Sequence, residues 1–438
     1  MEKRIILFLA LIIVLYVLTG CSKKDGDGVH FTMKIGDEVT VTSTSRLNPI
    51  PWGAIEFPEI GIHPDGRIFV SWHMAEDIME DYGTDRGWAV SKDGGETWEP
   101  FDIEEEPTVQ AIMGTKLPNG EYMHYYMPTN TVVDEVTYEQ LSKLTIGNFS
   151  EMIGEANKIL VKDMPDGIIP KGPRYCVSKN KATEMEILES QVNFPGLYSS
   201  ILIGRYDGTP QVVSPHTGLR RPTVAPDGTL WQANYQREYD EETGMLKNLF
   251  ACYFFKSEDN GKSFELVSKI DSDMLDPEIY HLEGFCEPGL TFMPDGSMVV
   301  LMRTGSFSES YIARSTDGGK TWSTPVVFDY CGVEPQIHTF ENGVTVASYG
   351  RPGLYIRATG DPAGMKWEDP VEIIAPAKGK DYAELEVNQN NLSCFNTDMV
   401  PINDHECLVV YSHVIDHDGE GGGIKTIKVR KITIEAKR

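Results

Sequence analysis

Positive charge is in short supply. The 438 residues carry 39 Lys and Arg against 66 Asp and Glu, a formal net charge of -27 at pH 7. Nucleic-acid phosphates need clustered cations, so such partners are excluded; an acidic surface that keeps an exported chain soluble accounts for the imbalance. Metal spacings are missing as well. There is no Cys-x-x-Cys and no His-Glu-x-x-His, so no zinc site is expected, and no Asp-x-Asp-x-Asp-Gly run marks a calcium loop. No cofactor is expected. Apart from Cys21, the cysteines Cys176, Cys252, Cys286, Cys331, Cys394 and Cys407 follow no framework spacing and read as small buried strand residues. The longest apolar run, Ile5 to Leu18, falls short of the ~20 residues that cross a bilayer.

That run follows Lys3 and Arg4 and ends at Leu18-Thr19-Gly20-Cys21, the layout of a secretory signal. The tetrapeptide resembles a bacterial lipoprotein processing site. The resemblance implies that Cys21 becomes the lipidated first residue, holding the protein on a membrane surface without a spanning helix. Ser22 in the next position points to the outer membrane, with either face open. Ser22 to Gly28, all polar or glycine, reads as a flexible tether.

What the chain has in quantity is repetition. Ser91-Lys92-Asp93-Gly94-Gly95-Glu96-Thr97-Trp98 recurs as Ser257 to Phe264 and as Ser315 to Trp322, and a stretched copy runs from Arg357 to Trp367. Each follows a strand-like run. The chemistry is that of a hairpin: Asp bonds back to nearby amides, the glycines accept positive φ, and the aromatic residue packs beneath. A second repeat is a turn followed by a β-rich strand, at Pro64-Asp65-Gly66, Pro118-Asn119-Gly120, Pro226-Asp227-Gly228, Pro294-Asp295-Gly296, Glu341-Asn342-Gly343 and Ile402-Asn403-Asp404. Strand-period runs between such turns predict an all-β chain.

The first repeat resembles the Asp-box of sialidases and related β-propellers, over most of the chain from about Ile50 onward. With six turn units, the resemblance implies a six-bladed β-propeller over residues 37–438, with 1–20 as signal and 21–36 as lipidated cysteine and tether. A seventh blade is the rival count. The gap from Gly120 to Gly228 is about double the others, predicting an insertion at about 135–195. It would contain a short helix within 136–158, then strands at Leu197 to Tyr206 and Thr209 to Val213. Ring closure is expected between Ile424 to Ile434 and Val39 to Ser43.

The family's active site lies at one end of the central channel. By resemblance, Glu287 at the start of a hairpin is the acidic partner that activates a nucleophile. Arg303 at its end, with Arg351 and Arg221, grips the substrate. The pattern breaks in the first blade, where Ile55-Glu56-Phe57-Pro58 replaces an Arg-Ile-Pro, so a carboxylate stands at or beside a missing arginine. It breaks again at Asn391-Leu392-Ser393-Cys394-Phe395, which lacks the family's tyrosine; Tyr349 and Tyr411 are the substitutes. The loop with Glu76, Asp77, Glu80, Asp81 and Asp85 is expected to hold the acid that protonates the leaving group, with Asp81 or Asp77 chosen. Glu56, Glu59 or Glu287 would be its partner in a two-carboxylate cleavage. His73 and His338 are further candidates for proton transfer, or for His338 substrate contact. The expectation is a monomeric, exo-acting glycoside hydrolase on complex glycans, nearest to exo-α-sialidase. A non-catalytic glycan-binding propeller is the alternative.

Overall fold

The computed structural model describes residues 28–437 except 52, 75–85, 127–130, 150–155, 161–162, 164, 166–173, 194–199, 207, 214–220, 240–245, 276–282, 306–307, 376–394 and 417–421. It is nearly all β. Blade one is typical: Glu56–Ile62 innermost, then Ile68–His73, Arg86–Ser91 and Glu99–Pro100, each antiparallel to the last. Blades two to five begin at Thr115–Lys116, Thr223–Val224, Cys286–Phe292 and Val333–Thr339, and blade six at Thr397–Pro401. Inner strands alternate: Glu56–Ile62 and Cys286–Phe292 share one pattern of buried and half-buried residues, because every second side chain faces the channel. The second strands are sandwiched between neighbouring blades. Hence Met298–Arg303 and Thr345–Gly350 are buried throughout.

Six apolar cores lie between successive blades and close the ring. Phe69 and Val90 meet Ile112 and Tyr122; Met123 and Tyr175 meet Leu230 and Phe264; Phe254 meets Val300 and Tyr311. Val299 then meets Ala347 and Tyr349, Val346 meets Val409, and Leu408 and Val410 return to Ile60 and Ile68. Because blade two packs directly on blade three, the additional five-stranded sheet of Thr131–Val132, Thr145–Phe149, Ala156–Leu160, Ser200–Tyr206 and Thr209–Val213 stands outside the ring. The blade count is six. Helix Glu135–Ser142 caps this inserted sheet, with Asp134 Oδ1 accepting the Thr137 N–H at 2.7 Å and Leu141 packed on Ile159, Ile203 and Val212. Residues 174–189, inside the span expected to be inserted, instead form the outer half of blade two.

All four boxes join a third strand to a fourth, at the same end as the turns between first and second strands. In three of them a Ser Oγ accepts a Gly N–H (Ser91 from Gly95 and Ser257 from Gly261 at 2.8 Å, Ser315 from Gly319 at 2.9 Å) and donates to the Asp. Bonds from Thr97 and Thr321 draw the Asp93 and Asp317 carboxyls down to about 2. In the stretched copy Asp361 accepts from Ala363, Met365 and Lys366, and Trp367 Nε1 donates to Gly364 O at 2.8 Å. The box glycines abut the preceding blade: a Cβ on Gly319 would come within 2.6 Å of Trp231.

Closure takes the expected strands. Ile424–Ala436 pairs with Glu406–Ile415 on one side, and on the other with Val39–Ser43 and Phe31–Ile35. Glu38 fastens this seam, accepting from Tyr411 OH at 2.8 Å and from Lys428, with Arg430 at 3.5 Å. Burial alone would raise the Glu38 carboxyl, but Lys428 and Tyr411 hold it below the usual range.

Candidate functional site

An inner strand starts at the channel mouth and runs toward its turn, so residues equally far ahead of the turn centres Asp65, Asp227, Asp295, Asn342 and Asp404 share a level. By this register Phe57, Glu287, Glu334 and Asn396 form the upper level, and Glu59, Arg221, Gly289, Gln336 and Asp398 the next one down.

At the upper level Phe57, Glu287 and Glu334 each precede a proline yet have φ of 49°, 46° and 45°. Proline disfavours that conformation in the residue before it, and such strain, about 1–3 kcal/mol each, is typical of functional sites. A bulge follows in all three strands, turning the side chain toward the mouth. Arg303, paired with Cys286 in register, donates to Glu287 Oε1 at 2.6 Å and to Glu283 Oε2 at 3.1 Å. Glu287 Oε2 accepts the Glu334 N–H at 2.7 Å. Glu334 Oε2 in turn accepts from Asn396 Nδ2. Five side chains are thereby joined across blades four, five and six, the Glu334 amide supplying one of the links.

The lower level crosses the channel. Arg221 of blade three donates to Asp398 of blade six and to Ile60 O of blade one at 2.9 Å. Asp398 also accepts from the Ile60 and Met399 N–H groups, both at 2.8 Å. Burial raises its carboxyl, and Arg221 opposes the shift. Glu59 is pushed up by burial but pulled further down by Arg86, His124 and Arg221, ending below the ordinary range. Arg86 NH2 lies 3.4 Å from it. His124 is lowered by burial, and the Glu59 charge acts the other way.

Of the residues singled out from sequence, Glu287, Arg303, Arg221 and Glu59 line the channel. Glu56 does not: it is 0% exposed, paired with Lys425 Nζ at 2.6 Å between blades one and six. Its alternation puts Phe57, one residue on, at the Glu287 level. Tyr349 is also out of reach, wholly buried between blades four and five with its OH on Asp329 Oδ2 at 2.5 Å; burial and that carboxylate raise its hydroxyl far above the usual value, which removes it as a nucleophile. Tyr411 is spent on Glu38. His73 occupies the blade-one counterpart of Arg303, its Nδ1 3.3 Å from Gly53 O. Arg351 is buried at the end of blade five's hairpin. His338, four residues past Glu334 toward the turn, lies against Phe340, and burial lowers its imidazole to about 4, far from the mouth group. Asp77, Asp81 and Cys21 fall outside the described residues.

Glu334, Asn396, Asp398, Arg86 and His124 were missed. Glu334 carried a signal: Glu334-Pro335 repeats Glu287-Pro288 at the same distance ahead of the next turn.

The BNR/Asp-box repeat family matches residues 313–324, the third box. No match is found among curated proteins. A protein of unknown function from Dyadobacter fermentans shares the fold, with a TM-score of 0.60 at 16% identity over 92% of this chain and 99% of that one. A Hadza microbial sialidase (TM-score 0.45, 15% identity, 88% and 66% covered) and an α-L-arabinanase from Penicillium chrysogenum complexed with arabinobiose (0.43, 13%, 90% and 98%) are more distantly similar. Likeness at this level is one of architecture. The chain is a six-bladed Asp-box propeller.

Proposed function

We propose that this propeller is an exo-acting glycoside hydrolase on complex glycans, with its site at the channel mouth. The observation that carries the reading is Arg221 strapped across the lumen to blades one and six, directly beneath the level of Glu287 and Glu334. A channel floored in this way is a pocket. It accepts the end of a glycan and stops a chain from threading through, and its rim offers the carboxylates that glycosidic cleavage needs. Arg303 and Arg221 already face Glu287, Glu283 and Asp398. Their charge is thus largely met from within, which favours a neutral terminal sugar over a sialic acid. Sugar release from sialylated, uronic-acid and neutral glycans, with Glu287→Gln alongside, tests this: neutral sugar set free, and less of it from the variant, is the expected result. Release of sialic acid alone would reverse the sugar assignment, and no release would sink the enzyme.

The burial of Tyr349 and Tyr411 against Asp329 and Glu38 favours one rival, a glycan-binding propeller without catalysis. It would bind the same sugars and release none. We also propose lipidation at Cys21 and an outer-membrane address. The Cys21→Ala chain should then be recovered free of the membrane fraction, whereas unchanged membrane recovery would refute the anchor.

A further inference from the structure

We infer that Glu334, and not Glu287, is the carboxylate that acts on the attacking water, with Glu287 and Asn396 as its positioning residues; this rests on the glycosidase reading above. Glu287 is committed on both oxygens, Oε1 to Arg303 at 2.6 Å and Oε2 to the Glu334 N–H at 2.7 Å. Its side chain is 12% exposed and that of Arg303 9%. A carboxylate bound on both oxygens, by a buried guanidinium and by an amide, is fixed in place, which suits a support. What it supports is the backbone of Glu334, whose φ of 45° ahead of Pro335 needs such a restraint. Glu334, like Glu287, is half-buried at the mouth.

Asn396 completes the arrangement. Its Nδ2 donates to Glu334 Oε2, and because a carboxylate only accepts, the amide orientation is set. Asn396 Oδ1 is then left buried with no hydrogen-bond partner among the described residues. An acceptor in that condition is costly unless something supplies a donor, and a sugar hydroxyl beside Glu334 would supply one. In the step itself, Glu334 takes one proton from water as the water oxygen bonds to the anomeric carbon. The bond from that carbon to the leaving oxygen breaks with its electron pair, and the leaving oxygen takes a proton from solvent water. Glu334 afterwards returns its proton to solvent, so one water is consumed per bond cut.

The test compares kcat, KM and the pH profile of kcat/KM for the full chain, Glu334→Gln, Glu287→Gln and Asn396→Asp, on whichever glycan the full chain cleaves. Glu334→Gln should lower kcat by about 10²–10⁴-fold, leave KM nearly unchanged and abolish the acid limb of the profile. Glu287→Gln should keep that limb while losing activity. Asn396→Asp sets a second carboxyl beside Glu334, and like charge should carry the limb to higher pH; this variant keeps Glu334, so a folding failure of the Gln variant does not end the test. An acid limb that survives in Glu334→Gln, that vanishes in Glu287→Gln, or that stays put in Asn396→Asp would overturn the inference while leaving the glycosidase intact. A full chain that cleaves no glycan would overturn both.

Discussion

Replacing Lys425 by Met should destabilise the ring by about 3–5 kcal/mol, the usual cost of removing one partner from a buried ion pair. Lys425 is 1% and Glu56 0% exposed. The ammonium serves three acceptors, Glu56 Oε1 and Pro51 O at 2.6 Å and Ala54 O at 2.8 Å, while Glu56 Oε2 has no hydrogen-bond partner among the described residues. Met keeps most of the stem volume but strands a carboxylate where no water reaches. Thermal midpoints of parent and variant would read the loss. The double variant Glu56→Leu/Lys425→Met should recover most of it, since an apolar pair in such a place is often neutral or better. If the single variant melted with the parent, the pair would not be what ties blade six to blade one.

Arg221→Met should also destabilise the ring, and its damage should depend on pH. Arg221 is the group that opposes the upward shift of the buried Asp398 carboxyl, so without it the folded-state affinity of Asp398 for a proton rises further above its unfolded value. A carboxyl shifted in that direction favours folding when protonated and opposes it when ionised. The loss, up to about 3–5 kcal/mol for a buried carboxylate left without its partner and less here because the Arg221 side chain is 26% exposed, should therefore be largest near neutral pH and shrink on acidification. Melting midpoints of parent and variant at neutral and acidic pH check this. A deficit that does not change with pH would mean that Asp398 is already neutral or that Arg221 acts through packing alone.

The parts of this fold that could be read from sequence are those whose interactions are local. An Asp-box is closed by bonds within four residues, Ser91 to Gly95 and Asp93 to Thr97, and its pattern survives even in the copy stretched around Asp361. Glu287 and Arg303 are also one hairpin, and the resemblance picked both from one continuous stretch of sequence. The rest of the site is made by ring closure. Arg221 reaches Asp398 across 177 positions of sequence, and Glu334 reaches Asn396 across 62; no periodicity reports such contacts before the blades are assembled. Glu56 and Tyr349 were misplaced for a related reason. A bulge rotates Phe57 into the channel and leaves Glu56 between blades. Strand Thr345–Gly350 is buried on both faces, so a polar tip there need not mean a channel position.

The seam that closes the ring also makes the order of the blades partly arbitrary. Phe31 stands opposite Ala436 in one continuous ladder, so the two ends of the folded chain are already neighbours. A short peptide bridging them would turn the backbone into a loop, which could then be opened at an exposed turn such as Asp65-Gly66. The same six blades would be traced in rotated sequence, and the seam would move from blade six to blade one. Circular permutation of this kind asks only that some blade be shared between the two ends. In this protein the shared blade is also the one that supplies Asn396 and Asp398, so moving the join elsewhere would separate the stitching of the ring from the lining of its pocket.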